Sequence, residues 1–212
     1  MPASSLNLKS ALSDLSLKKR LVLVHASPLV NADSLLTALL ETTAGFFTPT
    51  FTPKSLLPLE YHPAHSKADV NSLAQPFTPS TSTDEAFGNF PELVRKHAKG
   101  KRSIHPVFSF AGINADSAIY AQTQDNLYAP IASLADEDGV ILLVGMDQRI
   151  NFSIHYGEKL AGRMQFIRWA LTDQGVLECP NFPGDSEGFN AISLTVKPFT
   201  RQAEVDGITI QA

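Results

Sequence analysis

The sequence predicts an α/β fold with α+β character, folded as a single domain. Three observations support this prediction. The opening residues alternate between helical and strand periodicity, residues 139–145 (GVILLVG) form an apolar run between two glycines, and residues 163–212 hold short alternating stretches separated by turn residues. A chain of 212 residues is long enough for one sizeable core and short for two. We therefore expect one domain over residues 1–212.

The opening of the chain has a β-α-β character after an N-terminal helix. Leucines at helical spacing predict that helix in the segment 1–19, and the apolar residues that follow predict a buried strand. Asp33 is placed to cap the second helix, and Gly45 to end it. The expected elements are a helix over residues 6–18, a strand over 20–24, a helix over 34–43 and a strand over 46–51.

A long loop dominates the middle of the chain. Residues 53–83 are rich in Pro, Ser, Thr and His, and a loop of this length in a compact domain is often functional. Farther along, the run at 139–145 predicts a central strand, and residues 153–161 are compatible with a helix. The other expected elements are a helix that starts at Asp84 and that Gly100 ends, an extended stretch over 101–112, a helix over 115–122, a loop around Pro130, and strands with one short helix over 163–212.

Composition argues against several classes of function. The formal net charge is −4, and the one basic cluster, residues 96–102, is short, so no nucleic-acid partner is expected. No apolar segment approaches the ~18 residues of a membrane span, so no membrane partner is expected. The single cysteine, Cys179, can form no intramolecular disulfide and has no cationic neighbour in sequence. We expect a structural thiol and, by default, a cytoplasmic protein.

The histidines are natural candidates for chemistry, because imidazole titrates near neutral pH. His62 and His65 have H-x-x-H spacing, but the intervening proline prevents a regular helix, and no metal is expected. His25 follows a strand at the end where ligands gather in open sheets, so it either lines a site or packs a turn. His155 precedes Glu158 by one helical turn, and a carboxylate there can orient an imidazole. Many helices carry such a pair, so spacing alone does not assign catalysis.

Common catalytic signatures are missing from the sequence. It contains no Gly-x-Gly-x-x-Gly fingerprint, no Walker lysine loop, no Gly-x-Ser-x-Gly elbow and no His-Glu-x-x-His helix. Rossmann redox chemistry, nucleotide hydrolysis, ordinary serine hydrolysis and zinc proteolysis are therefore disfavoured. Residue types and spacing alone indicate an α/β enzyme or binding domain.

Four segments, in order along the chain, resemble the aminoglycoside 3-N-acetyltransferase family. Residues 23–27 (LVHAS) resemble its Val-His-Ser-Ser turn, and residues 48–52 (TPTFT) its Pro-Thr-Phe-Thr strand. Residues 87–95 (FGNFPELVR) resemble its Met-Gly-x-x-x-Glu-x-Phe-Arg helix. Residues 102–109 (RSIHPVFS) are similar to Arg-Ser-x-His-Pro-x-His-Ser, and residues 151–158 (NFSIHYGE) to Asn-Thr-Ser-x-His-x-x-Glu. The order and spacing of these motifs carry the resemblance.

The C-terminal part adds to this resemblance, since residues 185–189 (DSEGF) are similar to the family's acidic-Glu-Gly-Phe segment. The resemblance spans roughly residues 20–205 and implies a mixed central sheet surrounded by helices in one acetyltransferase-like domain. It also implies acyl transfer from acetyl-coenzyme A, without a metal, to an amine of a small molecule such as an aminoglycoside-type antibiotic. Antibiotic resistance would then be one role for such a protein.

The same resemblance implies roles for particular residues. His155 would be the general base, and Glu158 would stabilise its imidazolium. Small hydroxyls, backbone amides and one arginine suit an anionic cofactor. The residues implied to bind the cofactor are His25, Ala26, Ser27, Arg102, Ser103, His105 and Val107. The residues implied to line the acceptor site are Asp147, Asn151 and Phe152.

The chain departs from the family pattern at three positions. Phe108 stands where the pattern has His, Phe152 where it has Thr, and Ala26 where it has Ser. Phe152 is close to His155 in sequence, so it can remove a hydrogen-bonding group from the site. Three interpretations stay open: an acyltransferase for a small acceptor, a catalytically impaired protein that binds coenzyme A or an acyl ligand, and a purely structural relative. A polycationic aminoglycoside would need a strongly acidic pocket, which the net charge neither supplies nor excludes.

Overall fold

The secondary structure follows from a computed structural model that describes residues 5–67 and 69–212. Its α-helices are α1 (Ser5–Asp14), α2 (Ala32–Thr42), α3 (Asn89–Lys96), α4 (Asp116–Ala121), α5 (Ala129–Asp136), α6 (Ser153–Leu160) and α7 (Ser193–Val196). Its strands are β1 (Leu21–Ala26), β2 (Gly45–Pro49), β3 (Lys101–Arg102), β4 (Phe110–Ile113), β5 (Val140–Val144), β6 (Phe166–Thr172), β7 (Gly175–Phe182), β8 (Gln202–Val205) and β9 (Ile208–Gln211). The described residues form a seven-stranded sheet in the order β3-β4-β2-β1-β5-β9-β8, beside a separate β6-β7 hairpin.

Three parallel strands form the centre of the sheet. β1 pairs with β2 on one side, and with β5 on the other, where His25 lies opposite Leu143. The β1-α2-β2 connection is therefore the β-α-β unit that the sequence predicts. β4 and β9 run antiparallel to β2 and β5, so the sheet is mixed. The carboxyl ends of β1, β2 and β5 share one edge, which is where ligands bind in open α/β sheets.

Helices cover both faces of the sheet because the strand residues alternate between two apolar clusters. Val22 and Val24 pack in the cluster that holds α1, α2 and α3. Leu21 and Leu23 pack in the opposite cluster, which holds α4 and α5. Burial of each such side chain stabilises the fold by about 1.5–3 kcal/mol. None of the helices in the described ranges is long and apolar enough to cross a membrane.

The boundaries of the first two helices differ from those expected. α1 ends at Asp14, earlier than residue 18, because the chain turns at Ser16, which has a positive φ of 60°. The cap of α2 is Asn31, whose side chain accepts a hydrogen bond from the backbone N–H of Ser34 at 2.8 Å. Asp33 lies instead in the first helical turn. An acidic residue there still favours the positive end of the helix dipole.

The third helix is shorter than the sequence indicates. Asp84 caps a 3₁₀ turn over Glu85–Phe87 rather than α3 itself. Gly88, with a φ of 73°, separates that turn from the helix, which begins at Asn89. The helix also ends before Gly100, at Lys96. A residue in this left-handed conformation cannot belong to a right-handed helix, so the glycine divides the predicted helix in two.

The expected loop around Pro130 is wrong, because this proline lies in the first turn of α5. Proline is tolerated there, since the N–H that it lacks would have no helical partner. The long loop 53–83 contains 3₁₀ turns over Pro53–Ser55 and Val70–Ser72, and its described residues include no α-helix. It is hydrogen-bonded to the hairpin through Leu57 N to Trp169 O, at 2.8 Å. The loop therefore has a fixed place in the fold.

The single thiol is part of the core. Cys179 lies in β7, is fully buried and packs with Val107 and Ala170. Burial raises the pKa of the Cys179 thiol to about 12. A thiol that is buried and protonated is a poor nucleophile, which agrees with the structural role expected from the sequence.

Candidate active site

The centre of the candidate site is the first turn of α6, which follows the carboxyl end of β5. His155 Nδ1 lies 3.0 Å from Glu158 Oε2, because a spacing of three residues places both side chains on one helix face. A carboxylate only accepts hydrogen bonds, so Nδ1 carries the hydrogen and Nε2 keeps its lone pair. The other carboxylate oxygen of Glu158 is paired with the guanidinium of Arg163. These contacts fix both the orientation and the tautomer of the imidazole.

The imidazole of His155 is 6% exposed and is in contact with two phenyl rings. Its centroid lies 5.3 Å from that of Phe152 and 4.6 Å from that of Phe189. Burial lowers the pKa of His155 below its ordinary value, while the charges of Glu158 and Asp185 oppose this effect. The ring is therefore neutral near pH 7, the state in which it can accept a proton.

Side chains of the turn before α6 hold that turn in place. Asn151 Oδ1 accepts hydrogen bonds from the backbone N–H of Ser153, at 3.3 Å, and from its hydroxyl, at 2.5 Å. Asp147 forms an ion pair with Arg149 at 2.7 Å and accepts a hydrogen bond from Asn190 Nδ2 at 3.1 Å. Both residues were expected to line the acceptor site. In the structure Asn151 bonds to Ser153 at the start of α6, and Asp147 bonds to Asn190, the residue after Phe189.

The two phenylalanines that depart from the family pattern touch each other. The ring centroids of Phe108 and Phe152 lie 5.0 Å apart, and Phe108 also contacts Phe182 at 4.7 Å. Phe152 is buried, whereas Phe108 and Phe182 are partly exposed. We call Phe108, Phe152 and Phe182 the aromatic wall. It extends from the core towards the surface beside His155.

The turn at the end of β1 holds three of the residues expected to bind the cofactor. His25 is 3% exposed, and its Nε2 has no hydrogen-bond partner in the part of the chain that the structure describes. Burial lowers the pKa of His25 to about 3. Ala26 and Ser27 are partly exposed, and the hydroxyl of Ser27 accepts a hydrogen bond from Leu29 N at 3.3 Å. Its own hydrogen has no acceptor in the part of the chain that the structure describes.

Arg102 fastens the long loop to the sheet. Its guanidinium donates to the carbonyls of Thr50 at 2.7 Å and Pro79 at 3.2 Å, and to that of Thr81. Its Nε donates to Ser109 Oγ at 3.0 Å. Burial lowers the pKa of the Arg102 guanidinium to about 10. These bonds favour a structural role over the expected contact with cofactor phosphates.

The segment after β3 is also built from internal hydrogen bonds. Ser103 Oγ donates to Gln122 Oε1 at 2.5 Å and is buried. His105 Nδ1 accepts hydrogen bonds from the backbone N–H groups of Val107, at 3.2 Å, and Phe108, at 3.0 Å. Its Nε2 therefore carries the hydrogen, and among the described residues this buried donor has no partner. Burial lowers the pKa of His105 to about 4.

Two residues that contact the His155–Glu158 pair were not found from the sequence. Arg163 lies beyond the end of α6, where no local pattern links it to Glu158. Phe189 belongs to the DSEGF segment, whose resemblance was noted without a role for any of its residues. A groove of about 460 Å³ is lined by Asn151 together with Arg20 and Phe199. His155 is not among its lining residues.

The fold and this site define a class of protein: an α/β protein with a buried histidine, hydrogen-bonded to a carboxylate, at the carboxyl edge of its sheet. More particularly, the chain belongs to the aminoglycoside 3-N-acetyltransferase family, whose model matches residues 20–192. The sequence matches no curated protein. Family membership confirms the expected class of enzyme, an acyltransferase, and acetyl-coenzyme A as the acyl donor of that class.

Solved structures confirm the expected fold. YokD protein from Bacillus subtilis matches with a TM-score of 0.82 and 18% identity, over 100% of this chain and 88% of that chain. AAC-IIIb in a binary complex with CoASH matches with a TM-score of 0.78 and 18% identity, over 100% and 91%. AAC-VIa bound to sisomicin matches with a TM-score of 0.78 and 22% identity, over 100% and 92%. At these identities the likeness establishes the fold.

Proposed function

We propose that this protein transfers the acetyl group of acetyl-coenzyme A to a primary amine of a small molecule, with His155 as general base. The observation that carries the proposal is the hydrogen bond from His155 Nδ1 to Glu158, because it leaves the lone pair of Nε2 free. Burial keeps the ring neutral, as a base must be. A positioned base of this kind contributes about 10²–10⁴-fold to the rate.

Each group at the site has a defined part in the reaction. His155 Nε2 accepts the proton that the amine loses as its nitrogen bonds to the acetyl carbon. Glu158 stabilises the resulting imidazolium, and Arg163 holds Glu158 in place. Bound acetyl-coenzyme A supplies the acetyl group as a thioester, whose C–S bond breaks as the C–N bond forms. Overall, an ammonium and a thioester become an amide and a thiol, and one proton is released to solvent.

The residues expected to bind the donor fit its neutral part best. The hydroxyl of Ser27 and the Nε2–H of His105 are neutral donors without acceptors among the described residues, and such donors suit the amide carbonyls of the pantetheine arm. Phosphates call for cations or helix N-termini, and the Arg102 guanidinium already faces carbonyl groups. We therefore assign Ser27 and His105 to the pantetheine arm. AAC-IIIb, with its bound CoASH, supports a coenzyme A site in this fold.

The acceptor site is assigned to the surroundings of His155, including Phe152 and the turn that holds Asn151 and Asp147. AAC-VIa, bound to sisomicin, supports an amine acceptor for a protein of this fold. A free thiol and an acyl donor made inside cells are consistent with a cytoplasmic location.

Release of free thiol provides the test. The purified protein is mixed with acetyl-coenzyme A and a panel of amines, and coenzyme A binding is measured separately by calorimetry. We expect thiol release that depends on the amine and that falls at least about a hundredfold in His155→Gln, with coenzyme A binding retained. Thiol release that is equal in the wild type and the variant would contradict the role of His155.

A second candidate is a protein that binds coenzyme A without transferring an acyl group. The observation that favours it is the burial of His155 against Phe189 and Phe152. Coenzyme A binding with no turnover on any amine would support this candidate. Loss of both would support a purely structural relative.

A further inference from the structure

The groove of about 460 Å³ lies along β5, and His155 does not line it. Three of its lining residues belong to that strand, namely Val140, Ile141 and Leu143, and the groove also holds the apolar side chains of Leu15, Val196 and Phe199. Phe199 is 85% exposed. An exposed aromatic ring beside a groove is apolar surface that a partner can cover.

One edge of β5 is open beside this groove. β1 pairs with all five residues of β5, whereas on the other side β9 pairs only with Leu143 and Val144. The N–H of Gly145 donates to the carbonyl of Thr209 at 2.8 Å, and the groups that face one side of an antiparallel ladder recur at every second residue. The backbone groups of Ile141 therefore face the open edge, where the described residues provide no further strand. Unpaired groups of this kind are a template for another strand.

The positive charges of the groove lie near the amino end of β5. Arg20 donates to the carbonyl of Gly139 at 3.4 Å and forms an ion pair with Asp138 at 3.2 Å. The Asp138 side chain is 92% exposed, so solvent weakens this pair, and the buried Nε of Arg20 has no partner among the described residues. Arg201 also lines the groove, and its backbone pairs with Ala212, which follows β9 towards the same end. The charged residues that line the groove are therefore two arginines and one exposed aspartate.

These features together fit the end of a peptide chain. A strand that pairs antiparallel to β5 runs towards the amino end of β5, so its C-terminus arrives where the arginines lie. A guanidinium binds a carboxylate through two parallel hydrogen bonds. Main-chain hydrogen bonds of an added strand give affinity, and pockets for its side chains give specificity. A small anion would contact the arginines and leave the strand edge unpaired.

We propose that this groove binds the C-terminal residues of a partner chain, extended and paired antiparallel to β5 beside Ile141. The terminal carboxylate binds Arg20 and Arg201, and an apolar side chain near the C-terminus contacts Phe199. The groove does not include His155, so this inference does not rest on the proposed function.

A peptide array tests the proposed partner chemistry. Fluorescein-labelled hexapeptides with varied apolar and β-branched residues at the last three positions are titrated with the protein, and fluorescence anisotropy gives Kd. Each sequence is made with a free C-terminal carboxylate and with a C-terminal amide. We expect the tightest free-acid peptides to bind at least about tenfold more tightly than their amides, because the amide loses charge-assisted hydrogen bonds. No binding, or equal binding of the two forms, would overturn the inference.

N-methylation of the peptide backbone separates strand pairing from the binding of an anion. Each of the last four residues of the tightest peptide is N-methylated in turn, with the carboxylate kept. We expect Kd to rise at least about tenfold at every second position, where the N–H faces β5, and less than about threefold at the positions between. Small, equal effects at all four positions would indicate that the arginines bind an anion only, and would overturn strand pairing.

Variants of the arginines locate the site. Arg20→Gln and Arg201→Gln should each raise Kd of the free-acid peptide about three- to thirtyfold and leave that of the amide nearly unchanged. Lys18→Gln is the matched control, because Lys18 is exposed in the same loop between α1 and β1 and does not line the groove. Arg201 is exposed, so its variant gives a result even where Arg20→Gln lowers Tm. Unchanged binding in Arg201→Gln and in a folded Arg20→Gln would overturn the proposed site.

Discussion

Two buried histidines, His155 and His105, differ in what their Nδ1 atoms contact. His155 Nδ1 faces the carboxylate of Glu158 at 3.0 Å, so it must donate. His105 Nδ1 accepts two backbone N–H groups, those of Val107 and Phe108. The Nε2 atoms therefore have opposite states: a lone pair on His155 and a hydrogen on His105.

This difference separates two functions that a histidine can have in one site. His155 can take a proton, and Glu158 can stabilise the charge that results. His105 has no carboxylate, and burial lowers its pKa to about 4, so it stays neutral and can only donate from Nε2. Both histidines are buried, and the partner of Nδ1 determines whether Nε2 can accept or donate a proton.

Substitution of these two histidines should have the largest effects, and the effects should fall on different kinetic parameters. His155→Gln should lower kcat about 10²–10⁴-fold, because the proposed general base is removed. His105→Asn keeps an acceptor near the position of Nδ1, so it should raise KM for acetyl-coenzyme A with kcat within about threefold. Steady-state thiol release measures both parameters. A comparable drop in kcat for both variants would remove the distinction.

The free energy of unfolding should depend on pH because His105 is buried in its neutral form. Its pKa is about 4 in the folded protein and about 6.5 when unfolded, so the unfolded chain binds more protons between these values. The free energy of unfolding should therefore fall by about 1.4 kcal/mol per pH unit as the pH drops below about 6.5. His25, with a pKa of about 3, should add a similar slope.

Urea unfolding at several pH values between 7 and 5 measures this slope. In His105→Asn the slope of the free energy of unfolding against pH should be smaller by the contribution of one histidine. His65→Gln, at an exposed position, should keep the wild-type slope. Equal slopes in all three proteins would show that His105 titrates normally in the fold.

Glu158→Gln should have a smaller effect on rate and a diagnostic one on pH dependence. The amide still accepts from His155 Nδ1 but carries no charge, so we expect kcat to fall about tenfold. Glu158 raises the pKa of His155 against the effect of burial, so its loss lowers that pKa further. The acidic limb of the kcat/KM profile should therefore move to lower pH. A limb that stays in place would indicate that another group titrates.

Arg163→Ala should have the smallest effect. Its guanidinium is about half exposed, and ion pairs of exposed groups contribute little. We expect kcat to fall less than about threefold, with little remaining dependence of kcat on salt concentration. Comparison of thiol release at low and high salt in wild type and variant checks this. A loss as large as that of Glu158→Gln would mean that Arg163 acts directly on the reaction.

Local patterns in the sequence predicted the elements that depend on neighbours in the chain. The apolar run at 139–145 correctly predicted β5. The spacing of three residues correctly predicted that His155 and Glu158 share one face of α6. Pro130 was misassigned because a proline in the first turn of a helix resembles a proline in a loop.

Contacts between distant residues could not be predicted from such patterns. Phe108 meets Phe152, and Phe189 covers His155, only because the fold brings separate segments together. The sequence suggested that Arg102 was a cation free to bind a phosphate. Its guanidinium instead donates to the carbonyls of Pro79, Thr81 and Thr50, which lie 21 to 52 residues away in the sequence. The resemblance identified the motifs, and the structure shows which distant residues contact them.

The protonation state of the imidazole nitrogens distinguishes His155 from His105 most directly. ¹⁵N chemical shifts of the histidine rings at pH 7.5, assigned by comparison with His155→Gln and His105→Asn, report which nitrogen carries the hydrogen. We expect a hydrogen on Nδ1 and a bare Nε2 for His155, and the reverse for His105. A hydrogen on Nε2 of His155 would contradict its role as the base that accepts the acceptor's proton.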